Sequence, residues 1–133
     1  MNARGLRNNN PLNIRHGKSQ WEGMSERQRD KKFVEFTCRV YGYRAGFVLL
    51  RNYISKGCNT IGKIIARWAP SSDGNNTQSY IDFVSRTTRI HPSHVLEFED
   101  RDALISIVQS MAQIESGIVE DRLLLEKAYD LIQ

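Results

Sequence analysis

Asp102-Ala103-Leu104-Ile105-Ser106-Ile107-Val108-Gln109-Ser110-Met111-Ala112-Gln113-Ile114-Glu115-Ser116-Gly117 decides how this chain is read, because its apolar residues keep helical time almost to the end. Leu104, Ile105, Val108, Met111 and Ala112 fall on one stripe, Asp100 or Asp102 stands where such a helix starts, and Gly117 interrupts it. One more step of four from Met111 reaches Glu115, a carboxylate where the stripe calls for an apolar side chain. Desolvation on a half-buried helix end disfavours the charged form of a glutamate, raises its pKa and equips it to donate a proton near neutral pH. Acid cleavage of a glycosidic bond needs such a carboxyl, often with a second carboxylate on the opposite face of the sugar. The plainer reading of the same spacing is a snorkelling or ion-paired glutamate at a helix terminus.

Working outward, the helical period recurs. From Arg44, Phe47, Leu50 and Ile54 share a face, and Gly57 is placed to end the helix. Thr60 can cap a second helix that carries Ile61, Ile64, Ile65 and Trp68 and stops at Pro70. After the polar run Ser71-Ser72-Asp73-Gly74-Asn75-Asn76, Thr77 can cap a third, with Tyr80, Ile81 and Val84 on its buried side and Pro92 closing the unit. A last amphipathic helix runs through Leu124, Ala128 and Leu131. Lys32-Phe33-Val34-Glu35-Phe36-Thr37-Cys38 alternates instead, so the spacing predicts a short strand with Val34, Phe36 and Cys38 towards the core and Phe33, Glu35 and Thr37 opposite. With 133 residues, 40% of them hydrophobic, the expectation is one domain over 1–133. It is mainly α, formally α+β, with helices packed around a small N-terminal β element.

Arg7-Asn8-Asn9-Asn10-Pro11-Leu12-Asn13-Ile14-Arg15 suits neither helix nor strand. Asparagine tolerates left-handed backbone and Pro11 holds Asn10 extended, so a fixed loop rich in amide donors and acceptors is expected, suited to hydroxyl- and acetamido-rich ligands such as glycans. Such amides can also serve only their own backbone. A second acid for glycan chemistry can come from Glu35 or Glu22, neither specified by spacing. Trp21, Trp68 and Tyr80 offer surfaces for sugar rings; Trp68 lies on a helical stripe and reads as core, whereas Trp21, in a glycine-flanked polar segment, suits a groove. His16, His91 and His94 show no ligand motif, Cys38 and Cys58 read as free thiols, and no metal or organic cofactor is implied.

Charge is distributed unevenly. Residues 1–67 hold 14 Lys and Arg against 4 Asp and Glu, a net of +10, while the remainder holds 5 against 11, a net of −6. The basic half wants an anionic partner, which can be nucleic acid, an acidic membrane surface or the polymers of a bacterial envelope, unless the two halves neutralise each other on folding. No run approaches the roughly 20 apolar residues of a membrane span, and the N-terminus lacks the apolar stretch of a secretory signal.

Several separated motifs together resemble a family of small bacteriophage and prophage proteins described as virion structural or lytic proteins. They are Arg4 to Arg15, Trp21-Glu22-Gly23, Asp30-x-x-Phe33-x-x-Phe36, Tyr43-Arg44-Ala45, Ile61 to Pro70, and Asn76-Thr77 with Tyr80-Ile81. The usual pattern has Gly where Leu12 stands. The order of these motifs is also similar to the part of lysozyme-like glucosaminidases that follows their catalytic Glu-Ser-Gly helix end. Here Glu115-Ser116-Gly117 comes last instead of first, as in a circularly permuted lysozyme-like domain, whose termini must lie close together. The resemblance implies Glu115 as general acid, with Asn9, Asn10, Asn13, Arg15, Trp21 and Tyr80 lining a substrate groove and Glu35 as a candidate for the opposite face.

The expectation is therefore a phage-derived hydrolase of peptidoglycan glycan strands, whether muramidase, glucosaminidase or lytic transglycosylase, made in the cytoplasm and acting at the cell wall or carried in a virion. A non-catalytic component that binds glycan or other virion proteins is the rival, with nucleic-acid binding third.

Overall fold

A computed structural model describes residues 3–132. Its helices are α1 (Arg4–Arg7), α2 (Arg39–Ser55), α3 (Ile61–Trp68), α4 (Thr77–Thr88), α5 (Arg101–Ser116) and α6 (Arg122–Asp130), with a 3-10 turn at Ser71–Asp73. The stripe of α5 is its organising feature: Leu104, Ile105, Val108, Met111 and Ala112 are fully buried, joined by Ile107. Burying such side chains stabilises the fold by about 1.5–3 kcal/mol for each large one. Helix α5 packs against α4 on one side and α6 on the other, and also meets α1 and α2. Helix α3 leans on α4 and brings Ile61, Ile64 and Ile65 into the same core.

Local chemistry accounts for most helix ends. Thr60 caps α3 by accepting from the Lys63 N–H at 3.1 Å. At α4 the cap is Asn76, which accepts from Ser79 N–H at 3.1 Å, and not Thr77, whose hydroxyl instead donates to the Ala69 carbonyl at 2.6 Å. Asp121 caps α6, and Gly117 ends α5 with φ +72°. Helix α2 begins at Arg39, five residues before the apolar period suggests, and carries Gly42 inside it. Gly42 is there for closeness: a Cβ would lie 2.4 Å from the Asn9 carbonyl oxygen. On α6 the buried residues are Leu125, Ala128 and Tyr129, so the stripe is rotated from the expected one and Leu131 is 44% exposed.

The expected N-terminal β element does not form: no strand occurs among the described residues, which are helical apart from turns, loops and two isolated bridges, Arg15 with Phe33 and Met24 with Phe36. The alternation itself holds in part, since Val34 and Phe36 are buried, but Cys38 is exposed at the start of α2. A ladder is missing because residues 34–37 divide their backbone bonds among several segments. Val34 N–H donates to Ile14 O, Phe36 N–H to Asn8 O and Thr37 N–H to Gly23 O. Side-chain amides complete the set: Asn10 Nδ2 donates to Val34 O at 2.8 Å, Asn9 Nδ2 to Phe36 O at 3.1 Å, and Gln28 both donates to and accepts from Glu35 backbone. The asparagine run thus takes the place of a neighbouring strand.

Candidate functional site

Glu115 is the third element of a junction between the C-terminal end of α5, the asparagine loop and α4. Asn13, in left-handed backbone with φ 54°, turns its amide onto α5, where Nδ2 donates to Glu115 Oε1 and to the Glu115 main-chain oxygen, each at 3.1 Å. Tyr80 of α4 donates its hydroxyl to Glu115 Oε2 at 3.1 Å, and the nearby Trp68 indole favours the charged carboxylate. Beside this, Ser116 donates to the Pro11 carbonyl at 2.6 Å and fastens the loop to the helix end.

Burial raises the pKa of Glu115 above its ordinary value, and that desolvation outweighs the opposing hydrogen bonds from Asn13 and Tyr80, the nearby Trp68 indole and the charge of Arg15. The Tyr80 phenol is pushed well up by its own burial and by the adjacent carboxylate, so it remains a donor.

Glu115 opens into a cleft of about 390 Å³ whose wall includes Asn13, Arg15, Lys32, Arg67, Trp68 and Asp73. A more apolar cleft of about 250 Å³ adjoins it through shared Asn13, Arg15 and Trp68, and is lined by Trp21, Leu49 and Tyr53. Together they present aromatic faces at one end and charged groups with a desolvated carboxyl at the other. A sugar chain asks for this division, because rings stack on aromatic faces while acetamido and hydroxyl groups take hydrogen bonds.

The structure brings together Glu115, Asn13, Arg15 and Trp21, with Tyr80 buried behind the carboxylate. It places the others elsewhere. Asn10 is fully buried and its amide joins Ile14 and Val34; Asn9 faces a different surface hollow, with Arg39 and Leu123. Glu35 is ion-paired to Arg29 at 3.2 Å and lines neither cleft. Residues that sequence reasoning passed over include Asp73, Lys32, Arg67 and Tyr53, and Trp68 is half-buried with a face on both clefts instead of being core. Asp73 had one local signal: it is a lone carboxylate in the polar turn that follows Trp68-Ala69-Pro70. Among the described residues no group of three or more His, Cys, Asp or Glu is arranged to hold a metal ion, and no helix is long and apolar enough to cross a membrane.

These features define a small, mainly helical protein with a desolvated carboxyl set beside an aromatic and basic groove. No family model matches the chain. It is 47% identical over 119 residues to protein P5 of Pseudoalteromonas phage PM2, an alignment that spans 86% of this chain and 72% of the relative. The chain belongs to the family of that phage protein, which bears out the expected bacteriophage origin.

Proposed function

We propose that this protein cleaves the glycan strand of peptidoglycan, with Glu115 as general acid. The observation that carries the reading is the desolvated Glu115 carboxyl, held by Asn13 and Tyr80 beside Trp68 at the wall of an open cleft. In its neutral form Glu115 gives its proton to the glycosidic oxygen as the bond from that oxygen to the anomeric carbon breaks. The positive charge left on the ring is then met by water or by a carboxylate. Asp73, which lines the same cleft and lies 4.0 Å from Arg15, is the group available for that second task, a role for which Glu35 is remote from the cleft lining. The Glu-Ser-Gly match and the motif order shared with lysozyme-like glucosaminidases support the same chemistry, and phage membership supports delivery at the host envelope or within a virion.

The test is release of muropeptides from purified peptidoglycan by wild type and Glu115→Gln. Loss of a general acid lowers the rate by about 10²–10⁴-fold. Absence of cleavage by wild type, or equal cleavage by both, overturns the reading and leaves a non-catalytic virion component that binds glycan.

A further inference from the structure

The cleft that contains Glu115 is unlike a site for a neutral sugar polymer alone, because it holds three cations, Arg15, Lys32 and Arg67, beside two carboxylates. One cation, Arg15, is engaged by Asp73. Lys32 and Arg67 lean on ring faces instead, Lys32 at 5.3 Å from the centroid of Phe33 and Arg67 at 5.0 Å from that of Tyr53. Neither makes an ion pair with a carboxylate among the described residues. A ring face holds a cation in place without cancelling its charge, as a paired carboxylate would. Even with Glu115 and Asp73 both ionised, the three cations leave the lining of this cleft net positive. Net positive potential in a cleft selects an anionic ligand, and a guanidinium and an ammonium lining the same cleft suit a carboxylate.

We propose that Arg67 and Lys32 form a carboxylate-binding subsite next to Glu115, so that the substrate is an acid-bearing glycan and not a neutral one. This rests on the glycan-strand reading above and adds which sugar is recognised. In peptidoglycan the carboxylate is the lactyl group of the muramoyl sugar when the strand is bare, or belongs to the stem peptide when the lactyl group is amidated. Both hang from the same sugar, so that sugar sits on the Glu115 side of Trp68, with its neutral neighbour along Trp21 and Tyr53.

The experiment measures binding by calorimetry to Glu115→Gln protein, which holds ligand without turnover. Three oligosaccharides of equal length are compared: a neutral chitotetraose, a bare strand fragment with lactyl carboxylates, and a peptide-bearing fragment. Expected is at least about tenfold tighter binding of an acid-bearing fragment than of chitotetraose, a difference equal to about 1.4 kcal/mol. The preference weakens as salt rises. Adding Lys32→Gln and Arg67→Gln, both at exposed positions, abolishes the preference by weakening the acid-bearing fragments more than chitotetraose. Preference for the bare as well as the peptide-bearing fragment identifies the lactyl group, and preference for the peptide-bearing one alone identifies the stem. Equal binding of all three, no binding of any, or equal weakening of all three by the paired substitution overturns the subsite. Turnover is read separately with wild type. Cleavage without a carboxylate preference defeats the subsite alone, and a preference without cleavage defeats the hydrolase alone.

Discussion

Asn13 reaches across 102 positions of sequence to hold Glu115 by both its carboxylate and its main-chain oxygen. The second bond satisfies a carbonyl in the last turn of α5, where helical partners run out, and the first fixes the carboxyl as it faces the cleft. One amide therefore links the fold to the proposed chemistry.

Replacing Asn13 by Gly keeps the left-handed backbone that φ 54° demands and removes both bonds. Asn13→Gly is expected to cost about 1–2 kcal/mol in denaturant unfolding. It should also lower kcat more than it raises KM, since the loss is in aiming Glu115. In a cycle with Glu115→Gln the two substitutions should couple by about 0.5–1.5 kcal/mol. Simple additivity would mean that the contact carries no energy.

A raised pKa is also a stability statement. Because the folded protein holds the Glu115 proton more tightly than the unfolded chain, this site contributes stability that is fully present below the unfolded glutamate pKa. The contribution is lost as pH rises through the folded value. Glu115→Gln, which cannot ionise, should therefore gain in melting temperature relative to wild type as pH is raised from 4 to 8, on the order of a few degrees at most. Under the same reading, the high-pH limb of hydrolysis follows the Glu115 proton. A constant gap between the two melting curves across that range would remove the case for a desolvated carboxyl.

How far this could be seen in the sequence depends on how local the cause is. The α5 stripe and the misplaced Glu115 were legible because helical spacing is a local property, as was the Thr60 cap. The strand was not, because alternation at Val34 and Phe36 reports burial but says nothing about the partner. That partner proved to be a set of amides from Asn9, Asn10 and Gln28. The reason for Gly42 inside α2 was not legible either, since the neighbour that needs the space is Asn9, far along the chain. Lys32 and Arg67 were invisible for the same reason: only folding places them beside Glu115.

Asp30 anchors the N-terminal segment. Its carboxylate accepts from Arg4 Nη2 at 2.7 Å, Asn8 Nδ2 at 3.0 Å, Lys32 N–H at 2.9 Å and Phe33 N–H at 3.1 Å, and these hold its pKa far below the ordinary aspartate value. A lowered pKa contributes stability that is present above the unfolded value of about 3.8 and is lost as pH falls below it. Asp30→Asn should therefore melt below wild type at pH 7, with the gap starting to narrow below about pH 4 and still narrowing as the acid strengthens. A gap that stays unchanged in acid would show that the carboxylate charge is not what the site uses.

Gly5 tests whether the junction is as tight as its contacts imply. A Cβ there would lie 2.4 Å from Ser116 Oγ, 2.8 Å from the Asn10 carbonyl oxygen and 2.9 Å from Asn13 Oδ1. One of these is backbone and the other two belong to the clamp on α5, so none can retreat without moving the loop. Gly5→Ala is expected to cost about 1–3 kcal/mol. It should also displace Asn13 and so reduce muropeptide release beyond what the lost folded fraction explains. Gly17→Ala is the matched control, because no atom lies within 4 Å of its added carbon, and its effect should stay within about 0.5 kcal/mol. If Gly5→Ala behaves like Gly17→Ala in stability and leaves turnover at the wild-type level, the Asn13 and Ser116 clamp is looser than these distances require.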